Sequence, residues 1–394
     1  MRASRFLRTA TLAAGLGCLI VTTGSAQRGT SPKVGPFSIA SQGVLYMGGT
    51  YDNAASPTAL SGQAYVFYQL PTGERDKRKY PIVMIHGSQQ TGANFLGTPD
   101  GRPGWAAFFV SNGYPVYVVD QPGRGKSGYF PNAYGPQGGN PNPTTVQRMF
   151  TAPELSNPLQ WPQAALHTQW PGGPGSGVPG NFAYDQFLSS QVANMPSTVQ
   201  ALTLTTNAVV ELLKRIGPAV IVTHSMAGPL SWMIPQAALA AKQKVVAVIA
   251  VEPGGPSGLN NITAPANACG LTPVCLNFTP DVSGPADLGL HSEPPPSPDL
   301  RNCWRQTAPY HKLPWLNGTP ILMIQGEASY HATYDYCTSQ FLTDAGVEHD
   351  FVPLGTVGIH GNGHMMMLEQ NNLAIAEFVQ KWLTRAVRRD DRNN

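Results

Sequence analysis

Short apolar runs recur along the chain, and each ends in glycine or in a polar residue. Runs rich in β-branched residues lie at Ala64–Leu70, Ile82–His86, Val116–Asp120, Ala219–Thr223, Val245–Val251 and Ile321–Gln325. They are mostly apolar on both faces, which is typical of parallel strands buried on both sides. Helical patterns lie between and after them, at Ser197–Ile216, Met226–Lys242, Thr333–Ala345 and Met365–Val387. The alternation predicts an α/β fold with a mostly parallel, doubly wound sheet.

Two long segments interrupt this alternation. Residues 129–195 are rich in proline, glycine, asparagine and tryptophan, and residues 254–316 are rich in proline and asparagine. Both follow strand ends, where α/β sheets bind ligands, and segments of this length commonly cover a site. We expect the first to be a cap over an active site and the second to be an insertion. The aromatic residues of the cap either line an apolar substrate pocket beside Gln89 or hold the cap in place; they are Trp161, Trp170, Phe182 and Tyr184.

Composition narrows the functional classes. The chain has 394 residues, of which 42% are hydrophobic and only 12% are charged. The formal net charge is +3, and the one basic stretch is short, from Arg75 to Lys79. Because a nucleic-acid-binding protein presents a basic face, this composition argues against a nucleic-acid partner.

The first 26 residues have the features of a secretory signal peptide. Three arginines among the first eight residues precede an apolar stretch from Thr11 to about Val21, and the small residues up to Ala26 suit cleavage after that residue. The apolar stretch is too short to span a bilayer, which argues against stable membrane insertion. We therefore expect a secreted or periplasmic protein whose single α/β domain covers residues 27–394.

Export changes what the cysteines imply. Cys18 leaves with the signal peptide, so Cys269, Cys275, Cys303 and Cys337 remain. An even number of cysteines in an oxidising compartment predicts two disulfides. A bond between Cys269 and Cys275 would close a small loop and leave Cys303 to pair with Cys337. No spacing of histidines and cysteines resembles a zinc site, so we expect no metal.

Ser225 is the strongest candidate for a nucleophile. It follows an apolar strand and precedes a helical pattern, which is the setting of a nucleophile elbow. The residues two before and two after the serine must be small, because strand and helix backbones crowd there. They are Thr223 and Ala227 rather than the usual two glycines, and Gly228 is placed to relieve the turn. The structural alternative is that Ser225 caps the helix N-terminus.

The general base and the acid should follow the nucleophile in the order serine, acid, histidine. His364 lies after a flexible Gly-Asn-Gly and directly before a helical pattern, and His360 is the alternative base. Glu252 ends the strand after the nucleophile, and Glu327 ends the next strand. We favour Glu252 because a charge that ends so apolar a strand needs a partner.

The loop after the strand Ile82–Ile85 has the position of an oxyanion loop. Its backbone N–H groups can bind an oxyanion together with the N–H of the residue after the nucleophile, Met226. Ser88 is the first choice for the loop donor and Gln89 the second. We expect His86 to pack beneath the loop as a structural residue.

A glycine-rich segment from Val118 to Gly128 contains the spacing of a dinucleotide-binding loop. A helix and an acidic residue about 20 positions later should follow it, and prolines follow instead. We interpret its glycines as turn residues, and the sequence calls for no cofactor.

Several of these segments, in the same order, resemble those of a family of bacterial α/β-hydrolase esterases, of which esterase 713 from Alcaligenes is a member. The similar segments are HGSQQTG, PDGRPGWAAFFVSNGYPVYVVDQPGRGKSG, THSMAG, VEPG and GIHGNGHMMMLEQNN, between His86 and Asn372. The resemblance implies an α/β-hydrolase fold, hydrolysis of small-molecule carboxylic esters, export and a possible homodimer. It places the nucleophile, acid and base at Ser225, Glu252 and His364, and the oxyanion donors at Ser88 and Met226.

The chain departs from this family at the oxyanion loop and in the cap. Ser88 and Gln89 stand where the family member has cysteines, Met226 replaces a polar residue, and residues 254–316 form a longer insertion. Because loops and cap select the substrate, the family's preference is not carried over. Alternatives on the same scaffold are lactone, thioester or amide hydrolysis, perhydrolysis, and an inactive binding protein.

Overall fold

A central sheet of eight strands organises the fold. The computed structural model describes residues 32–52, 59–73, 78–261 and 263–393, with side chains as far as residue 387. The strands of the sheet are β1 (Ile39–Asp52), β2 (Ala59–Pro71), β3 (Ile82–Ile85), β4 (Val116–Asp120), β5 (Ala219–His224), β6 (Val245–Val251), β9 (Ile321–Gln325) and β10 (Asp350–Pro353). A small antiparallel pair, β7 (His291–Glu293) and β8 (Cys303–Arg305), lies outside it.

The strand order is β1-β2-β4-β3-β5-β6-β9-β10. From β4 to β10 all neighbours are parallel, whereas β1 with β2 and β2 with β4 are antiparallel. The predicted α/β fold with a mostly parallel sheet is confirmed. Because the parallel strands share one direction, their carboxyl ends form a common edge, and ligand sites are expected there.

Helices cover both faces of the sheet. They are α1 (Ala93–Leu96), α2 (Trp105–Ser111), α3 (Pro131–Tyr134), α4 (Pro143–Val146), α5 (Phe182–Ser189), α6 (Thr198–Ile216), α7 (Leu230–Ala240), α8 (Asp335–Asp344) and α9 (Asn372–Asn393). Alternate residues of each central strand enter two separate cores, one beneath α2 and α9 and one beneath α6, α7 and α8. This explains why the strands are apolar at both odd and even positions.

The sequence pattern missed the edge of the sheet. β1 contains Gly48 and Gly49, both at positive φ, and its outer face is exposed to solvent. Exposed positions and paired glycines weaken the apolar signal of a strand, and glycine is disfavoured in strand interiors. The strand that was predicted to begin at Ala64 begins at Ala59. It pairs with β1, which the sequence pattern did not predict.

Two predicted helices begin later than expected. The helix predicted from Met226 is a 3-10 turn at Ser225–Ala227 followed by α7, because Gly228 and Pro229 lie between them. The helix predicted from Met365 begins at Asn372. Residues 365–371 form turns instead, and the guanidinium of Arg102 binds the carbonyl oxygens of Leu368, Glu369 and Gln370 there.

Residues 254–316 have little regular structure and are held by two disulfides. Cys269 is bonded to Cys275 within the segment, and Cys303 of β8 is bonded to Cys337 of α8. Trp304 adds a hydrogen bond from its indole N–H to the carbonyl oxygen of Asn261, at 3.0 Å. These links add to the apolar side chains of the segment, such as Phe278 and Leu288, which are buried in the core beneath α6, α7 and α8.

The predicted signal peptide at residues 1–26 lies outside the described residues. Within the described ranges, no helix combines the length and the apolar character needed to cross a membrane.

The two disulfides are expected to differ in their contribution to stability. Cys303 and Cys337 are 34 positions apart, whereas Cys269 and Cys275 are 6 positions apart. Closing the longer loop restricts the unfolded chain more, so the Cys303→Ala/Cys337→Ala variant should lose about 4 kcal/mol of unfolding free energy and the Cys269→Ala/Cys275→Ala variant about 2 kcal/mol. Denaturant unfolding of the two double variants measures this, and the reverse order would contradict it.

Candidate active site

The register of two parallel strands places Ser225 and Glu252 side by side. His224 of β5 pairs with Val251 of β6, and the next residue of each strand is Ser225 or Glu252. Both residues have positive φ, 56° for Ser225 and 47° for Glu252. This conformation is uncommon and strained for residues with a Cβ, and such strain often clusters at functional sites. The chain thus turns sharply at both points on the carboxyl edge of the sheet.

Close backbone contacts surround the turn at Ser225. A Cβ at Gly228 would overlap the carbonyl group of Pro253, so the crowded position lies one residue later than Ala227. A Cβ at Gly87 would lie 2.9 Å from the Cβ of Ser225. Thr223 is tolerated because its hydroxyl points into the core and shares a hydrogen bond of 2.6 Å with Ser231. The expectation that Gly228 relieves the turn agrees with this geometry.

A chain of hydrogen bonds links Ser225, His364 and Glu252. Nε2 of His364 lies 2.8 Å from Oγ of Ser225, and Nδ1 of the same ring is hydrogen-bonded to Oε2 of Glu252. The ring of His364 and the carboxyl of Glu252 are buried, while Ser225 is half-buried. Such an arrangement can move a proton from the hydroxyl to the imidazole and stabilise the resulting imidazolium.

The carboxyl of Glu252 is fully buried and has three partners. Besides His364, it accepts hydrogen bonds of 2.7 Å from the N–H of Gly326 and from the hydroxyl of Ser329. Burial, together with the nearby carboxyl of Asp335, raises the pKa of Glu252, and the bonds from Gly326 and Ser329 favour its charged form. Burial also lowers the pKa of His364 well below its ordinary value, with His224 and His331 adding to the effect. The imidazole is therefore neutral and able to accept a proton.

Rings pack on His364 from several sides. Phe150 stacks on it with ring centroids 5.3 Å apart, and His331 stacks on it at 4.8 Å. The hydroxyl of Tyr330 lies 3.2 Å from Nε2 of His364. The carbonyl oxygen of His364 accepts a hydrogen bond from Nε2 of His224 at 3.0 Å. These contacts hold the imidazole plane toward Ser225.

Three of these side chains also satisfy the distance criterion for a metal site. Ligand atoms of Glu252, His331 and His364 lie within 4.8 Å of one another. Their present partners favour hydrogen bonding instead, since Glu252 and His364 bind each other and Nδ1 of His331 binds Asp335 at 2.8 Å.

The loop after β3 lies against the turn at Ser225. The N–H of Gln89 donates to the side-chain oxygen of Asn194 at 2.7 Å, and the amide of Asn194 donates to the hydroxyl of Ser88 at 2.8 Å. Within the described part of the chain, no acceptor takes the N–H of Ser88 or of Met226. Those two groups are therefore available to a ligand, whereas the N–H of Gln89 is occupied.

The alternative base and acid bind each other away from Ser225. Nδ1 of His360 lies 3.0 Å from Oε1 of Glu327, and the N–H of Gly361 donates to the second oxygen at 2.9 Å. The His360 side chain is largely exposed. The structure thus brings His364 and Glu252 to Ser225 and leaves His360 and Glu327 in a separate pair.

Comparison with known proteins agrees with this arrangement of strand, turn and loops. A model of the alpha/beta hydrolase family matches residues 82–378, well over half of the chain. The chain belongs to the alpha/beta hydrolase family.

Two similar proteins extend the comparison of this α/β-hydrolase. The chain is 40% identical over 347 residues to a protein named as the probable secreted lipase phiG of Fungal sp. (strain ATCC 74256). The aligned region covers 86% of this chain and 88% of that protein. A solved structure described as a novel bacterial esterase superposes with a TM-score of 0.57 at 21% identity, over 91% of this chain and 99% of the other. The second likeness shows a shared fold.

Three of the predicted pocket aromatics of the hydrolase make no described ring contact with His364 or Tyr330. Trp170 and Tyr184 are buried in the core beside Phe187, and Phe182 is 67% exposed at the surface. Trp161 is the exception, because its ring contacts Tyr330 with centroids 5.8 Å apart. The packing of Trp170 and Tyr184 agrees with the interpretation that they hold residues 129–195 in place.

A buried network joins residues 129–195 to the loop that carries His364. His167 lies 2.7 Å from a carboxylate oxygen of Glu154 and 3.0 Å from one of Glu369. Glu369 also accepts from the N–H of Gly363 and from the amide of Asn362, at 2.9 and 2.7 Å. The two carboxylates outweigh desolvation and raise the pKa of His167 to about 9. The loop that carries His364 is thereby fixed one residue before this histidine.

Sequence reasoning missed four residues that contact the site: Phe150, Asn194, Tyr330 and His331. Tyr330 and His331 follow the end of β9, and that position at the carboxyl edge is a signal that could have identified them. Phe150 lies in a single helical turn that continues α4, and Asn194 lies in a loop, so neither position belongs to a periodic pattern long enough to be recognised.

The charged form of His167 should stabilise the hydrolase in a defined pH range. Its folded pKa of about 9 lies above the ordinary value of 6.5, so the contribution is complete below pH 6.5 and is lost as the pH rises through 9. We expect the unfolding free energy to fall by up to about 3 kcal/mol across that range. Denaturant unfolding at pH 6 to 10 measures the change.

The His167→Gln variant should lose this pH dependence. The His349→Gln variant serves as control, because His349 binds Ser339 and not a carboxylate. Parallel pH profiles for the wild type and His167→Gln would contradict the assignment.

Proposed function

We propose that this α/β-hydrolase is a secreted serine esterase that hydrolyses small to medium carboxylic esters through an acyl-enzyme. The observation that carries the proposal is the chain of hydrogen bonds from Ser225 through His364 to Glu252. A strained serine beside a neutral, buried imidazole is the arrangement that nucleophilic catalysis needs. The 40% identity to a probable secreted lipase supports ester hydrolysis as the reaction.

In the first half-reaction, Nε2 of His364 removes the proton of Ser225 as its oxygen attacks the ester carbonyl carbon. The carbonyl electron pair moves to oxygen, and the N–H groups of Ser88 and Met226 bind the resulting oxyanion. Collapse of the tetrahedral intermediate breaks the bond to the alcohol, and His364 returns the proton to the leaving oxygen. Glu252 stabilises the imidazolium throughout and fixes its tautomer.

In the second half-reaction, water takes the place of the alcohol. His364 removes a proton from the water as it attacks the acyl-enzyme, and Ser225 leaves with that proton when the intermediate collapses. The carboxylic acid then departs. These steps use only the side chains and backbone groups of this chain.

Export is part of the proposal. The signal-like residues 1–26 and the two disulfides support a secreted or periplasmic location. Residues 129–195 are proposed as the cap, since Phe150 and Asn194 contact His364 and the oxyanion loop. The homodimer implied by the family resemblance stays a prediction.

A panel of p-nitrophenyl esters, lactones, thioesters and anilides tests the reaction class. We expect hydrolysis of the esters, labelling of Ser225 by a fluorophosphonate, and no turnover above background in the Ser225→Ala variant. Folded wild type that neither turns over an ester nor reacts with the probe would favour a binding protein. Preferential turnover of another acyl compound would change the substrate class.

The acid assignment is tested by two matched substitutions. Glu252→Gln should lower kcat about 1,000-fold or more, because the amide cannot stabilise the imidazolium. Glu327→Gln is the control, because Glu327 also binds a histidine in a nearby loop, and it should keep kcat within about threefold of the wild type. The opposite ranking in steady-state kinetics would overturn the assignment of Glu252.

The pH dependence of kcat/KM tests the state of His364. The imidazole must be neutral to take the proton of Ser225, and burial lowers its pKa well below 6.5. Activity should therefore stay constant from pH 8 down to 6.5 and fall only in more acid solution. An acid limb centred at pH 7 or above would contradict a lowered pKa.

A further inference from the structure

Arg124 is a buried cation without a carboxylate partner. It comes from the glycine-rich segment after β4, and only 2% of its surface is exposed. It makes no ion pair with any residue that the structure describes, and its Nε has no hydrogen-bond acceptor there. Asp120 begins the same segment, but its carboxylate accepts the N–H groups of Gly92 and Lys126.

Burial of an unpaired guanidinium is unfavourable, so this position demands an explanation. Burial lowers the pKa of Arg124 to about 10, which leaves it protonated at neutral pH. The backbone is shaped to place it, since Gly123 and Gly125 on either side both have positive φ, and a Cβ at Gly125 would collide with Asp120. The glycines that resemble a nucleotide loop thus serve to position an arginine.

Arg124 contacts groups that belong to, or adjoin, both proposed oxyanion donors. Nη1 donates a hydrogen bond of 2.8 Å to the carbonyl oxygen of Gly87, and Nη2 lies 3.9 Å from Sδ of Met226. The same carbonyl accepts from Nδ1 of His86 at 2.9 Å. That ring nitrogen carries the proton, because Nε2 of His86 accepts the N–H of Gln121 at 3.1 Å.

The carbonyl of Gly87 and the N–H of Ser88 belong to one peptide unit. In a planar trans peptide these groups point in opposite directions, so a cation at the carbonyl lies behind the N–H. Hydrogen bonds to a peptide oxygen polarise the unit and strengthen its N–H as a donor. The positive charge itself also attracts an anion on the far side, through a medium that excludes water.

We propose that Arg124 is a positioning residue for the oxyanion site, which it strengthens by polarising the Gly87–Ser88 peptide and by holding Met226. This inference rests on the proposed esterase function. The oxyanion exists only after Ser225 attacks, so the effect acts on the transition state and not on substrate binding. Loss of the charge should therefore lower kcat and leave KM unchanged.

The size of the effect follows from distance. A charge about 8 Å from the oxyanion, acting through an effective dielectric constant of about 20, changes the rate about 30-fold. We expect Arg124→Met to lower kcat about 30-fold with KM within about twofold.

The experiment compares catalysis with the affinity for a trifluoromethyl ketone. Ser225 adds to this inhibitor, the carbonyl electron pair becomes an oxyanion, and His364 receives the proton. The inhibition constant of Arg124→Met should rise by about the same factor by which kcat/KM falls. Arg305→Met is the control, since Arg305 is paired with Asp344 and Glu293, and it should change neither quantity more than about twofold.

Arg124→Lys and Arg124→Gln keep the test decisive if Arg124→Met does not fold. Lysine keeps a charge at this position and should restore part of the inhibitor affinity, whereas glutamine should not. The inference would be overturned if folded Arg124→Met or Arg124→Gln kept kcat and inhibitor affinity within about threefold of the wild type. A rise in KM at constant kcat would also overturn it. An inactive wild type would instead refute the esterase function, so the two failures are distinguishable.

Discussion

The hydrogen bond between the buried carboxylate of Glu252 and the imidazole of His364 is the constraint on which the site depends. A carboxylate with no solvent contact is stable only with a full set of donors, and Gly326, Ser329 and His364 supply them. The same bond orients the ring of His364 toward Ser225, while Glu369 binds the N–H of Gly363 and holds the preceding loop. The register of β5 and β6 then completes the geometry, because it places Glu252 directly beside the serine.

The sequence predicted the centre of the fold better than its edges. The central strands are buried on both faces, so their apolar runs were unambiguous, and Ser225, Glu252 and His364 could be named from their positions at strand or helix ends. β1 was missed because its outer face is solvated and two glycines interrupt it. The start of α9 was misplaced because the residues before Asn372 form turns, whose carbonyl groups are bound by Arg102, a residue distant in sequence.

The contacts that residues 129–195 make with the site could not be predicted from the sequence, for a different reason. Phe150 packs on His364 and Asn194 binds the loop after β3, and both placements depend on contacts between residues that are distant in sequence. Arg124 was passed over because its segment was interpreted only as a turn. Its importance follows from burial without a carboxylate partner, which a linear pattern does not reveal.

The network around His167 has a consequence for how far residues 129–195 can move. Glu154, His167 and Glu369 are joined by buried charges, and the N–H of Thr168 is also bonded to the carbonyl of Gly361. A hinged lid would have to separate these groups in a dry environment each time it opened. These buried contacts oppose a hinged movement of residues 129–195, so directed evolution of the segment should vary side chains such as Phe150 and leave the partners of His167 unchanged.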